Sequence, residues 1–124
     1  MSDVLKKEIH LEKVEAPRLG PTEELILLSI FILDKNAYLT EIRRDMDKRL
    51  KNGPSDGHLK NSLMRMECKG FLVSFWTQAV PKRGGRRKKI YKPTTLAYQV
   101  IKDLERVRLN FRKDINFERH PEWK

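Results

Sequence analysis

Cysteine is scarce in this chain: Cys68 is the single one among 124 residues. One thiol excludes an internal disulfide and favours a reducing compartment. The three histidines, His10, His58 and His120, are scattered, and together with Cys68 they offer no metal-ligand spacing. We therefore expect neither a metal nor another cofactor.

Long apolar runs are also missing. The longest, from Leu25 to Leu33, is interrupted by Ser29 and is far shorter than the roughly 20 residues that cross a bilayer. The chain is charged from Asp3 onward, which is not the pattern of a secretory signal. We expect a soluble, cytoplasmic protein with no membrane partner.

Patterns of catalytic chemistry are lacking too. Gly84-Gly85-Arg86 does not have the spacing of a phosphate-binding P-loop. No Ser/His/Asp or Cys/His arrangement is suggested, and the carboxylates lie mostly beside basic residues. An enzyme is not expected.

Basic charge, by contrast, is abundant and concentrated. The net charge is +10, and residues 82–93 hold seven of the 27 Lys and Arg residues without any acidic residue. Gly84-Gly85 within this segment predicts a hairpin turn, because glycine adopts positive φ at little steric cost. A basic hairpin suits a polyphosphate partner. The alternative is a solvated loop whose charge only maintains solubility.

The apolar pattern of the first half predicts two helices. Thr22 reads as the N-cap of a helix that runs to about Asp34 and is apolar on nearly all sides, as a central buried helix is. Tyr38-Leu39 fits a short strand, and Thr40 fits the N-cap of a second helix. Asn52-Gly53-Pro54 ends that helix.

A third helix is predicted from Asp56 to Lys69, with Ser55 as its N-cap and Gly70 as its stop signal. Asp56 is interpreted as a residue that favours the helix dipole and not as a contact. Strands are predicted over residues 71–78 and 88–92. The helix should bury Leu59, Leu63 and Met66, and helical spacing places Gly57, Asn61, Met64, Arg65 and Cys68 on its outward face.

A last helix is predicted from about Thr94-Thr95 to Ile115. Its roughly 21 residues would span about 30 Å, which is longer than a core of this size needs. The surplus apolar length favours a partner helix.

This order of elements, with a basic turn between the last two strands, is that of a winged helix-turn-helix. The expected fold class is mainly α with a small β-hairpin wing (α+β) and a long C-terminal dimerisation helix. Residues 1–20 would form an N-terminal arm or short helix, 21–93 the winged helix-turn-helix DNA-binding domain, and 94–124 the C-terminal dimerisation helix and tail.

Three segments resemble the PadR-like transcriptional regulators, and together they cover roughly residues 22–108. They are LILL (25–28); SDGHL (55–59) with Leu63, Met66-Glu67 and KGFLV (69–73); and GRRKKIYK (85–92) with Thr94. The chain departs from the family at three places: Lys60-Asn61 replaces Tyr-Pro, Leu39-Thr40 replaces Gly-Tyr, and Ala97 replaces Gly. The first change lies in the recognition helix, so operator preference cannot be carried over.

The resemblance implies a homodimer held by the C-terminal helix and, in some members, a response to small aromatic molecules. The expected partners are double-stranded DNA, a second copy of the chain, and a small aromatic or hydrophobic effector. The predicted DNA contacts are Ser55, His58, Lys60, Asn61 and Arg65 in the recognition helix and Arg83, Arg86, Arg87, Lys88 and Lys89 in the wing. The predicted dimerisation residues are Ile101, Leu104, Val107, Phe111 and Ile115.

The function expected is sequence-specific DNA binding by a homodimeric repressor. The alternative is a winged-helix module whose basic hairpin binds RNA or an acidic protein. Two local questions stay open. Cys68 is either a redox-sensing thiol or a small hydrophobe packed under the wing. Trp76, Phe75 and Tyr98 either line an effector pocket between subunits or pack in the core and at an interface.

Overall fold

In the part of the chain that the structure describes, three α-helices and a pair of antiparallel strands accompany a central first helix. The structure is a computed structural model, and it describes residues 18–78, 87–119 and 122. The elements are α1 (Pro21–Leu33), α2 (Leu39–Arg49), α3 (Asp56–Cys68), β1 (Leu72–Trp76), β2 (Lys89–Pro93) and α4 (Thr95–Asp114), with 3-10 turns at Asp34–Asn36 and Phe117–Arg119. The predicted fold class, mainly α with a small β wing, is confirmed. None of the helices in these residues is long and apolar enough to cross a membrane.

α1 is the centre of the core. Ile26, Leu27 and Ile30 are completely buried, and α1 contacts α2, α3 and β2. Its opposite face is not covered, since Leu25 is 41% and Ile32 is 57% exposed. The expectation that this helix is buried on nearly all sides is therefore wrong for the single chain.

The first two helices begin earlier than predicted. Pro21 occupies the first turn of α1 and Gly20 is its N-cap, so Thr22 lies inside the helix. Proline suits this position because a backbone N–H in the first turn of a helix has no intrahelical acceptor, so the N–H that proline lacks costs no hydrogen bond. Likewise α2 begins at Leu39 after the N-cap Tyr38, and Thr40 lies in its first turn.

α3 follows the sequence prediction closely. The Ser55 Oγ accepts a hydrogen bond from the His58 N–H at 3.2 Å, which confirms the predicted cap. The helix ends before Gly70, whose φ of +88° is the left-handed conformation that favours glycine. The predicted buried stripe of Leu59, Leu63 and Met66 is completely buried.

β1 and β2 form the base of the wing. They pair antiparallel, with Leu72 opposite Pro93 and Trp76 opposite Lys89. The predicted strand at Tyr38-Leu39 is reduced to one bridge between Tyr38 and Ile90. The wing is thus attached to the start of α2. The predicted Gly84-Gly85 turn lies outside the described residues.

α4 begins at the predicted position and then leaves the core. The Thr94 Oγ1 accepts from the Ala97 N–H at 3.2 Å and donates to the Gly70 carbonyl at 2.6 Å. Ala97 is buried, and Val100 packs partly against the core. From residue 105 onward the side chains of α4 are exposed. The second half of the helix therefore carries exposed apolar residues.

Two buried carboxylates at the start of α1 hold the distant elements in place. Glu23 is 5% exposed and accepts hydrogen bonds from the Gly20 N–H at 2.8 Å and from the Lys69 Nζ at 2.8 Å. Glu24 is 7% exposed and accepts two hydrogen bonds from the Arg108 guanidinium, one of them from Nη2 at 2.6 Å. These pairs link α1 to the end of α3 and to the middle of α4.

The pKa of Glu23 is lowered in the folded chain. Burial by itself would raise this pKa, but the hydrogen bonds from Lys69 and Gly20 and the charges of Lys69 and Arg65 outweigh it. A lowered pKa means that the carboxylate stabilises the fold above its unfolded-state pKa. That stabilisation disappears as the pH falls through the folded-state pKa.

The substitution Glu23→Gln tests this link. It should lower the free energy of unfolding by about 2 kcal/mol at neutral pH, because the charged acceptor of a buried hydrogen bond is removed. The difference from the unsubstituted chain should shrink towards about pH 3, where the unfolded-state carboxyl is protonated. Urea unfolding at both pH values measures it, with the exposed Glu118→Gln as control. An equal loss of stability at both pH values would contradict the electrostatic account.

Candidate nucleic-acid interface

The face of α3 opposite the core is open to solvent. Gly57, Asn61, Met64 and Cys68, which we call the α3 outer stripe, follow one another at spacings of four, three and four residues, and the first three are exposed along with the Cys68 thiol. At 65% exposure Met64 is among the most exposed large apolar side chains of the described chain. The predicted outward face of this helix, including Arg65, is confirmed.

The other side chains predicted to contact DNA lie beside this stripe. Ser55, His58 and Lys60 are exposed on the first turn and a half of α3. The Ser55 hydroxyl is already used as the cap, so its oxygen has a structural role as well. All three are exposed, and their contact with DNA stays a prediction.

Arg65 is held back from the stripe. Its Nη2 donates to the Ser62 Oγ at 3.1 Å, and its Nε lies 3.7 Å from the buried Glu23 carboxylate. The guanidinium is therefore drawn towards the start of α1. Periodicity alone placed Arg65 on the outward face and gave no sign of this pairing.

The acidic residue at the start of α3 is also paired. Asp56 accepts a hydrogen bond from the Arg43 Nη1, and the Arg43 Nε lies 3.4 Å from Asp47. The hydrogen bond and charge of Asp56 raise the pKa of the Arg43 guanidinium. Asp56 thus bridges α2 and α3 in addition to its position at the helix dipole, and its charge is compensated close to the exposed face of α3.

Aromatic rings position the basic side chains of the wing. The Lys88 Nζ lies 4.2 Å from the centre of the Tyr38 ring, and the Arg87 Cζ lies 5.6 Å from the Trp76 ring. The Lys89 Nζ lies 5.9 Å from the same Trp76 ring and 3.8 Å from a Glu67 carboxylate oxygen. Such cation–π contacts orient a cation without neutralising it. Arg83 and Arg86 lie outside the described residues.

The wing and α3 converge on one cleft of about 520 Å³. Three lysines line it, Lys60 from α3 and Lys88 and Lys89 from the wing. Among its described lining residues Glu67 is the acidic one, and it faces Lys89. The cleft therefore carries a positive surface that extends from the helix to the wing. Its remaining lining residues are Tyr38, Leu39, Thr40, Met64, Cys68, Trp76 and Tyr91.

The structure corrects two interpretations of single side chains. Cys68 is exposed and lines the cleft, so it is not a small hydrophobe packed under the wing. Trp76, Phe75 and Tyr98 are each half exposed or more and lie in three different depressions. They are therefore not core residues, and within one chain they do not form a common pocket.

The predicted dimerisation residues divide into two groups along α4. Ile101 packs partly against the core, whereas Phe111 is 69% exposed. Beside them α1 and α4 enclose an apolar groove of about 690 Å³ that includes Leu28 and Ile32. Sequence reasoning missed this contribution of α1, because it expected the helix to be buried. The remaining predicted residues are Leu104, which is partly exposed, and Val107 and Ile115, which are exposed.

The fold is similar to solved structures of transcription regulators. A PadR family transcription regulator from Clostridium difficile is 25% identical, with 73% of this chain and 90% of that chain covered and a TM-score of 0.56. A PadR-like transcription factor from Bacteroides fragilis is 20% identical, with coverages of 74% and 86% and a TM-score of 0.59. A PadR family regulator from Eggerthella lenta is 17% identical, with coverages of 90% and 89% and a TM-score of 0.52. No family model and no curated protein matches the chain.

A helical core, an exposed third helix and a basic two-stranded wing define the winged helix-turn-helix class. Within that class the resemblance to the PadR-family regulators, predicted from residues 22–108, is confirmed by these structures.

Proposed function

We propose that this protein is a homodimeric transcription regulator that binds double-stranded DNA sequence-specifically and acts as a repressor. The observation that carries the proposal is the positive cleft between α3 and the wing, lined by Lys60, Lys88 and Lys89. The likeness of the fold to structures of PadR-family regulators supports it.

The geometry suggests separate roles in DNA binding for α3 and for the wing. α3 is 13 residues long and exposes one face, which suits insertion into the major groove. The wing lysines beside it would meet the phosphates that flank the groove. Because their charges are oriented by Tyr38 and Trp76, less side-chain freedom is given up when they bind.

A second copy of the chain is the partner we assign to the apolar surface of α1 and α4. Ile32, Val107 and Phe111 are all about half exposed or more on these two helices. A two-fold pairing would cover this surface and would place two α3 helices on successive half-sites of a palindromic operator. An effector, if the chain responds to one, would change the spacing of the two wings through α4.

The first prediction of this proposal concerns the wing. A dimer that neutralises about six to ten phosphates should bind about 10³- to 10⁵-fold more weakly at 200 mM than at 50 mM salt. Lys88→Gln and Lys89→Gln should each weaken binding and reduce the salt slope by about one unit for every phosphate that is no longer neutralised. Fluorescence anisotropy with a labelled duplex measures both quantities.

Lys48→Gln and Lys51→Gln are the matched controls. Lys48 is exposed in the last turn of α2, about 14 Å along the helix from its first residues at the cleft, and Lys51 is exposed in the turn that follows. They should leave the salt slope unchanged. A salt response that is flat, or that changes equally in all four variants, would contradict a phosphate-binding wing.

The single thiol supplies an independent prediction. Cys68 is exposed on the α3 outer stripe, so it should be alkylated readily in the free protein and slowly when α3 lies in a major groove. Mass spectrometry after a short maleimide pulse measures the protection. Polyglutamate and single-stranded RNA are the control ligands, and protection by either one instead of duplex DNA would favour the interaction-module alternative.

The dimer prediction concerns α4. Phe111→Glu and Val107→Glu should convert a dimer into monomers at micromolar concentration, because each places two like charges in a desolvated interface. Light scattering after size-exclusion chromatography measures the mass. Lys113→Glu, on the other side of α4, should remain dimeric. A monomeric unsubstituted chain would contradict the two-fold proposal.

A further inference from the structure

The α3 outer stripe differs in charge from the surface around it. The chain has a net charge of +10, and yet none of Gly57, Asn61, Met64 and Cys68 is a lysine, arginine, aspartate or glutamate. Basic side chains flank the stripe at Lys60 and Arg65. The stripe, which would enter the groove deepest, therefore has no charged side chain of its own and has a basic residue on each side.

Gly57 has no role within the described fold that would require glycine. Apart from its chain neighbours and the nearby backbone of its own helix, no described atom lies within 4 Å of the position that a Cβ would occupy, and its φ is not in the left-handed region. Glycine in a helix is about 1 kcal/mol less favourable than alanine. Its place in the first turn of α3 leaves the helix backbone open to a close approach from outside.

Asn61 and Met64 supply two kinds of contact that suit A·T base pairs. A carboxamide can accept from adenine N6 and donate to adenine N7, while an apolar side chain can contact the 5-methyl group of thymine. Guanine, in contrast, is read most often by Arg or Lys, and the stripe holds neither. The neighbouring Arg65 is drawn away by Ser62 and Glu23.

The spacing of the two side chains agrees with base-pair stacking. Asn61 and Met64 are three residues apart, so they are offset by about 4.5 Å along the helix axis. Base pairs are about 3.4 Å apart. The two side chains can therefore meet neighbouring base pairs of one half-site.

We propose that the α3 outer stripe reads A·T base pairs in the major groove, with Asn61 on an adenine and Met64 on the methyl group of a thymine. This inference rests on the proposed DNA-binding function. It assigns the source of specificity to uncharged side chains and leaves affinity to the flanking cations and the wing.

The test changes the DNA rather than the fold. Duplexes are first selected from a random library with the full-length protein, and each thymine of the enriched half-site is then replaced singly by deoxyuridine, which lacks the 5-methyl group. At one thymine per half-site the affinity should fall about fourfold, as the removal of one buried methyl group predicts. Met64→Ala should bind the thymine and deoxyuridine duplexes equally.

The adenine contact is tested in the same way. Replacing the adenine that neighbours this thymine by 7-deaza-adenine removes the N7 acceptor and should weaken binding by about tenfold. Asn61→Ala should abolish this discrimination. Lys60→Ala is the matched control, since loss of a phosphate contact should weaken binding to the unmodified, deoxyuridine and 7-deaza-adenine duplexes by the same factor.

The possible outcomes distinguish a failure of this inference from a failure of the proposed DNA-binding function. If no duplex is enriched, both the DNA-binding function and the inference are overturned. If duplexes are enriched but no deoxyuridine substitution weakens binding, the inference alone is overturned. The same holds if Met64→Ala keeps the discrimination against deoxyuridine.

Discussion

The paired carboxylates at the start of α1 are the constraint on which the arrangement of this chain depends. Glu23 binds Lys69 at the end of α3, and Glu24 binds Arg108 in the middle of α4. A buried carboxylate without its partner is costly, so neither helix can move far from α1 without a loss of stability. The position of α3 is thereby coupled to the direction of α4 through the first turn of α1.

That coupling gives the proposed function a mechanical basis. A regulator that binds two half-sites requires a fixed distance between its two recognition helices. If α4 pairs two chains, the path from one α3 to the other runs through Glu23, Glu24 and Arg108. The wing is fixed by a second route, through the Tyr38–Ile90 bridge and the hydrogen bond from the Tyr91 N–H to the Ala37 carbonyl at 2.9 Å.

Features determined by neighbouring residues could be predicted from the sequence. Ser55, the buried stripe of α3 and Gly70 define that helix locally, and the structure agrees with each of them. The predicted cap at Thr22 is wrong because Pro21 is already the first residue of α1 and Gly20 is its N-cap. The pairings of Arg65 with Glu23 and of Arg43 with Asp56 could not be predicted, because their partners are brought together by the tertiary fold.

The exposure of one face of α1 could not be predicted from the sequence for a different reason. Apolar periodicity indicates which residues avoid water, but it does not say whether their cover comes from the same chain or from another. Leu25, Leu28 and Ile32 are therefore the positions where the expected burial and the observed exposure differ most. The same argument applies to Phe111 on α4, whose cover we assign to a second copy.

The most direct test of the central claim is the mass of the complex between the full-length protein and a selected duplex, measured by light scattering. The account predicts two chains on one duplex, with half-sites related by two-fold symmetry and centred about ten base pairs apart or a multiple of that distance. A complex of one chain on a duplex without symmetric half-sites would contradict it.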